Sequence, residues 1–368
     1  MPISRLMRLA ASFAVAAAAL LRGQIDADNA DPLRNIFEMA RQFEIPVMTQ
    51  PDWARRPDAP RFRMAWITDL HVTQVTSRTL VTAACHSIRD DIKPNFTIVT
   101  GDNAGHYWGL SDADMKEPVG VRRHRWLKRF LDSELAGPYL VVPGDNWPWD
   151  FEKIFGSTHY SFDFGGWHFH FASTDNQATG VEGCVTFSSV SWEWMEHDLA
   201  KAIAKPTLFI HHEPLWPPSF LDALPAAQMM VRNPNVLAVL SGHLHLDLEF
   251  QRDNWRQFIA PALGRSHRPG FKVLNFYPDI VIIESYEWQE NKQTFIQAAK
   301  WQQLPVPTKY RADLAAVPAI TGFAPENRRA MAPQAKYVDK ALAKRAKELN
   351  VNMMTFIMSF GIGKLLGQ

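Results

Sequence analysis

Residues 64–71 read MAWITDLH. Five apolar or β-branched residues, the length of one short strand, stop at Asp69 and then His71. The same handover recurs along the chain. FTIVT (96–100) stops at Gly101, Asp102 and Asn103, and YLVV (139–142) stops at Pro143, Gly144, Asp145 and Asn146. TLFI (207–210) stops at His211 and His212, and VLAVL (236–240) runs into Ser241, Gly242, His243 and His245. Continuous aliphatic runs of this kind fit strands buried on both faces. Each of them delivers carboxylate or imidazole side chains at its carboxyl end.

Amphipathic stretches at 77–91, 122–133 and 191–204 lie between the runs, so strand alternates with helix and an α/β layered fold is expected. Two regions break the alternation. Residues 160–172 (YSFDFGGWHFHFA) alternate around Gly165 and Gly166 as a β-hairpin, and 271–284 with 294–299 form a second antiparallel pair. The fold class is therefore α/β with α+β character. Two mixed sheets face to face, with helices outside, fit better than a single parallel sheet. In such folds the loops at the carboxyl ends of the strands build the site.

Composition narrows the class further. With 368 residues, 46% hydrophobic and 21% charged, the chain can bury a large core and is not a disordered one. A net charge of +1 argues against a nucleic-acid partner, which would call for a strongly basic balance. Two cysteines, Cys85 and Cys184, provide neither a disulfide scaffold nor a four-thiolate zinc site.

The ends read differently from the middle. Residues 1–30 carry Arg5 and Arg8 ahead of an apolar run at 9–21, a pattern that predicts a secretory leader and an exported or periplasmic protein. The alternative is an Ala-rich helix of a cytoplasmic protein. Residues 31–60 read as a linker with a short helix, 61–300 as the main domain, and 301–368 as a Pro-rich linker followed by a basic and then apolar C-terminal helix. That last helix is a candidate for docking on a membrane surface or a partner protein, or for packing on the domain with a solvated basic face. Helical N- and C-terminal extensions thus flank the sandwich.

The strand ends together offer Asp69, His71, Asp102, Asp145, His212, His243 and His245, with Asn103, Asn146 and His211 beside them. Oxygen and imidazole ligands without thiolate suit manganese, iron or zinc, and differ from a structural zinc site or a calcium loop. Seven ligands exceed the needs of one ion and match two ions that share a carboxylate. A pair of this kind generates hydroxide near neutral pH and clamps the oxygens of an in-line displacement, the device that phosphate ester hydrolysis most needs.

In this order the blocks resemble the calcineurin-like metallophosphoesterases. The series is D-x-H (Asp69, His71), G-D (Gly101, Asp102), a third block, H-x-P (His212, Pro214) and G-H-x-H (Gly242, His243, His245). The resemblance spans about 61–300, with the cyclic-nucleotide phosphodiesterase-like and purple-acid-phosphatase-like branches most similar. It implies a β-sandwich flanked by helices and two divalent or trivalent transition-metal ions. One ion would sit on Asp69, His71, Asp102 and His245. The other would sit on Asp102, the third-block residue, the fourth-block His and His243, with Asp102 bridging. H-x-P favours His212 over His211 as the ligand.

The third block departs from the pattern. Where the family has G-N-H-[DE], this chain has Gly144-Asp145-Asn146-Trp147. Aligned directly, Asp145 is the ligand and Asn146 occupies the catalytic His position; a one-residue slip makes Asn146 the ligand. A third carboxylate leaves a centre of two divalent ions and one hydroxide formally neutral, where the usual set keeps one positive charge. Asn donates no proton net, and general acid help is worth roughly 10²–10⁴-fold. The expectation is a preference for good leaving groups, or protonation by His106 or His211. Asn103 and Trp147 are the substrate-facing candidates, among aromatics that also include Tyr107, Trp108, Trp149 and Trp216. The rival reading is an impaired member that keeps the fold as a binding scaffold, as in the retromer subunit of this fold. Asn146 favours the rival; the retained charged ligands oppose it, since buried charges without metal are costly.

Overall fold

The computed structural model describes residues 44–332, apart from 74, 105–115, 176–185, 221, 265 and 267. The leader-like segment, the C-terminal basic helix, His106, Tyr107, Trp108 and Cys184 lie outside the described residues. Among the described residues, no helix is long and apolar enough to cross a membrane.

Each apolar run is a strand: β1 (Phe62–Ile67), β2 (Phe96–Thr100), β3 (Tyr139–Val142), β6 (Thr207–Ile210) and β7 (Val236–Ser241). The hairpin at 160–172 supplies β4 (Tyr160–Phe164) and β5 (Trp167–Phe171). Later residues add β8 (Leu248–Gln251), β9 (Arg256–Ile259), β10 (Gly270–Phe276), β11 (Ile280–Gln289), β12 (Thr294–Pro305) and β13 (Glu326–Ala330). A six-stranded sheet runs β12-β11-β10-β1-β2-β3, and a seven-stranded sheet runs β13-β4-β5-β6-β7-β9-β8. Within them β1, β2 and β3 are mutually parallel, as are β5, β6, β7 and β9, so their carboxyl ends fall on one edge of each sheet. The expected pair of mixed sheets is present.

Period-two burial explains why the runs are apolar throughout. On β1, Phe62, Met64 and Trp66 enter the core between the sheets, whereas Ala65 and Ile67 face the outer helices. On β6, Leu208 and Ile210 face inward and Phe209 outward. Aromatic rings fill the space between the sheets: Phe62 stacks on Phe276 at 4.1 Å and meets Phe164 edge-on at 5.0 Å. Each such ring contributes roughly 1.5–3 kcal/mol on burial.

The helices cover the outer faces. α1 (Val75–His86), extended by a π-helical turn at Ser87–Ile92, and α2 (Val119–Glu134) pack on the first sheet through Val81, Ala84, Leu127 and Leu131. A short α3 (Glu152–Phe155) follows β3. α4 (Ser189–Lys201) and α5 (Ala223–Arg232) pack on the second sheet through Met195, Leu199, Ala226 and Met230. At the N-terminus of α4, Ser188 accepts a hydrogen bond from the Ser191 N–H, the usual cap for an orphan helix amide.

Two boundaries differ from those read in the sequence. The domain does not end at 300. β12 continues to Pro305, α6 (Thr308–Ala316) follows, and β13 pairs antiparallel with β4. Tyr310 and Leu314, four apart on one face of α6, join the inter-sheet core together with Val306 just ahead of the helix. Five prolines over 305–333 mask that spacing in a composition reading. Upstream, residues 44–54 are not a free linker either. Ile45 N–H donates to the Asp247 carbonyl, Met48 N–H to the Ala299 carbonyl, and Trp53 and Ala54 pack against Tyr277, Ile280 and Ile282.

Candidate metal centre

Beyond their last residues the strands stay coupled through loop backbone. Asp69 N–H donates to the Gly101 carbonyl at 3.1 Å, His71 N–H to Asp102 at 2.9 Å, and Gly242 N–H to His212 at 2.9 Å. Five of the ligand candidates turn through left-handed backbone there: Asp69 (φ 49°), His71 (39°), Asp102 (51°), His243 (68°) and His245 (57°). For residues with a Cβ this conformation costs of order 1–3 kcal/mol each and concentrates at functional sites. The turns point these side chains to one spot.

The side chains form two groups with a shared member. In the first, His245 Nε2 lies 3.2 Å from Asp69 Oδ1 and 3.1 Å from His71 Nε2. In the second, Asp145 Oδ1 lies 3.3 Å from His212 Nε2 and 3.2 Å from His243 Nδ1. Asp102 stands between them, with Oδ2 3.5 Å from His71 Nε2 and Oδ1 3.3 Å from His212 Nε2. Ligand atoms about 2.0–2.2 Å from a common ion stand roughly 3–3.5 Å apart. The side chain of His245 is 18% exposed and that of Asp69 0%, so the cluster opens on the His245 side.

Further contacts hold the ligands in place. Thr68 Oγ1 and the His243 N–H both donate to Asp69 Oδ2, at 2.8 and 2.9 Å. Asn146 donates twice to Asp102, from its backbone N–H to Oδ1 at 2.9 Å and from Nδ2 to Oδ2 at 2.6 Å. Two glycines allow the approach: a Cβ on Gly144 would overlap Asp102 Oδ1, and one on Gly242 would overlap Thr68 Oγ1 and Asp69 Oδ2.

The donor chemistry fits metal ions. His212 Nδ1 is 2.6 Å from the Thr100 carbonyl oxygen, which only accepts, so Nδ1 carries the hydrogen. Nε2, which has no hydrogen-bond partner, then faces two carboxylate oxygens. Lone pairs face lone pairs unless a positive charge lies between. Burial opposes charge on His212, yet Asp102 and Asp69 outweigh it and hold the imidazole well above its ordinary range. Burial likewise opposes ionisation of Asp145, and His243 and His212 reverse it, pulling the carboxyl well below its usual range.

The structure brings Asp69, His71, Asp102, Asp145, His212, His243 and His245 together. In the third block, Asp145 stands among the ligand candidates and Asn146 bonds Asp102. The His211 side chain is fully buried. Its ring lies among Phe187, Phe209 and Phe220, and Nδ1 donates to the Glu213 carbonyl at 2.7 Å. Burial there pushes its pKa down to about 3, which favours the neutral ring. Asn103 is buried, with Nδ2 donating to the Val142 carbonyl at 3.3 Å. Trp147 is half-exposed beside the site, its ring 5.9 Å from that of His71.

Sequence reading missed Thr68, whose position just before Asp69 was the available signal. It also missed Glu213, the variable residue of H-x-P. Glu213 is fully buried, accepts from Thr174 Oγ1 at 3.2 Å, and is pushed up to about 7 by burial. A second buried cluster, His168, His170 and Asp198, lies on the seven-stranded sheet. Its charges are internally matched: His168 Nδ1 to Asp163 at 2.8 Å, His168 Nε2 to Asp198 at 3.0 Å, and Arg329 Nε to Asp198 at 2.9 Å. Arg329 bonds Oδ1 of Asp198, while His168 and His170 share its Oδ2.

Comparison with known proteins agrees with this geometry. Residues 62–247 match the family model of the calcineurin-like phosphoesterases. A 3',5'-cyclic-nucleotide phosphodiesterase of Nostoc sp. is 26% identical over 251 residues, covering 59% of this chain and 88% of that protein. A dimetal phosphatase from Danio rerio superposes with a TM-score of 0.51 at 13% identity, covering 67% of this chain and 99% of that one, a likeness of fold. With half of its length matched by one family model and a metal-ligand cluster at the matched strand ends, the chain belongs to the calcineurin-like phosphoesterases, metal-dependent hydrolases of ester bonds.

Proposed function

We propose that this chain hydrolyses a phosphodiester with the help of two transition-metal ions, manganese, iron or zinc, that share Asp102. The observation that carries this reading is the placement of the Asp102 oxygens, Oδ2 toward His71 and Oδ1 toward His212. When bound, such ions activate water at neutral pH and offset charge developing on the phosphate. Asp69, His71 and His245 would hold one ion, and Asp145, His212 and His243 the other. Thr68 and Asn146 fix the orientation of Asp69 and Asp102, the kind of support whose loss costs about 10–100-fold in metal affinity. The Nostoc relative supports a diester over a monoester substrate.

The test is hydrolysis of a bis-aryl phosphate, an aryl phosphomonoester and a 3',5'-cyclic nucleotide after chelation and readdition of each metal. Restored turnover that favours the diesters is expected. Restored turnover on the monoester alone would overturn the diester reading. No turnover with any metal would favour the scaffold.

A further inference from the structure

We propose that Arg123 binds a phosphate oxygen of the substrate and returns to the site the positive charge that Asp145 removes. α2 begins beside the metal-ligand loop. Gly120, Arg123 and His124 share one face of it, spaced three and four apart. A Cβ on Gly120 would overlap the Trp149 carbonyl, and His124 Nε2 is 3.0 Å from that same oxygen. The helix face is thereby docked on the loop that carries Asp145 and Asn146. Between those anchors, the Arg123 guanidinium lies 5.5 Å from the centre of the Trp147 indole. The same indole stands edge-on to His71, at 5.9 Å between ring centres. A cation and a metal ligand therefore flank one aromatic ring at the rim of the cluster.

Three further observations point to an anion at this place. Among the described residues no carboxylate forms an ion pair with Arg123, and its buried Nε has no hydrogen-bond partner. A guanidinium held over an indole face does not consume its in-plane N–H groups there, so they remain available for a planar fork contact with a phosphate. Trp147 itself holds left-handed backbone, φ 56°, which is uncommon for a bulky residue and concentrates where function fixes the geometry. The third carboxylate gives the arginine its purpose, since a neutral centre attracts an anionic ester weakly.

The inference rests on the phosphoesterase reading above. The experiment measures binding of inorganic phosphate to the metal-loaded full chain by calorimetry, with KM and kcat for a bis-aryl phosphate, in Arg123→Ala and Arg123→Lys. Metal content is assayed alongside. Arg123→Ala should weaken phosphate binding and raise KM by about 10–100-fold, with kcat within a few-fold and metal content unchanged. Arg123→Lys, which keeps the charge but loses the fork, should recover part of the loss. If Arg123→Ala fails to fold, phosphate affinity in Arg123→Lys decides: wild-type affinity overturns the proposal. Unchanged phosphate affinity in folded Arg123→Ala, or a loss that only follows lost metal, also overturns it and leaves the hydrolase reading intact. A wild-type chain that takes up metal but hydrolyses no phosphate ester would sink that reading instead.

Discussion

Asn146 grips both oxygens of Asp102, its backbone N–H on Oδ1 at 2.9 Å and its side-chain Nδ2 on Oδ2 at 2.6 Å. The residue that the direct alignment sets in the catalytic His position acts as a clamp on the Asp102 carboxylate. Asn146→Ala keeps the backbone bond and loses the other, so metal affinity should drop about 10–100-fold. Competition with a calibrated chelator measures it, and an unchanged affinity would remove Asn146 from the support of the centre.

Because Asn146 cannot protonate a departing alkoxide, rates should depend steeply on the leaving group. Wild-type turnover on an aryl ester should exceed that on the matching alkyl ester by far more than in a relative with histidine there, by roughly 10²–10⁴-fold. A flat dependence across a series of leaving-group pKa values would reveal an acid outside the residues considered.

His211 and His212 are adjacent and should behave oppositely. His212→Ala removes a ligand candidate flanked by Asp102 and Asp145 at 3.3 Å and should cost the second metal equivalent. His211→Phe replaces one ring in an aromatic pocket by another, giving up a single hydrogen bond to the Glu213 carbonyl. It should retain both metals and melt within about 1–2 kcal/mol of wild type. Elemental analysis and thermal melts separate the two.

The legible part of the molecule was its periodic part. Strand runs such as 64–68 and 236–240 are apolar because both faces are buried, and their ends carry the ligands. The exact role of Asp145 was not legible, because one-residue alternatives at 145 and 146 differ only in backbone direction, and Trp147 and Asp150 both turn left-handed there. Arg123 reads from sequence as an ordinary basic residue of an amphipathic helix; only its seat on Trp147 distinguishes it. Val306, Tyr310 and Leu314 were lost in a proline-rich stretch for the same reason, since three-dimensional docking and not composition makes them core.

The network around His168 predicts a pH dependence of stability. Burial disfavours charge on His168, but its bonds to Asp163 and Asp198 outweigh that and raise its pKa above 6.5. A raised imidazole contributes stability that is fully present below its unfolded value and is lost as pH rises through the folded value. His168→Gln should therefore destabilise by about 1–3 kcal/mol at pH 5.5 and by less at pH 8.5, read from urea midpoints. An equal loss at both pH values would mean the ring is neutral in the fold.

The proposed hydrolysis requires a pair of ions joined through Asp102. The most direct measurement is titration of the metal-free chain with manganese, followed by elemental analysis and electron paramagnetic resonance. Two equivalents per chain with a spin-coupled signal, reduced to uncoupled or single-ion binding in Asp102→Asn, is the predicted result. One equivalent, or two that show no coupling in the wild-type chain, would contradict it.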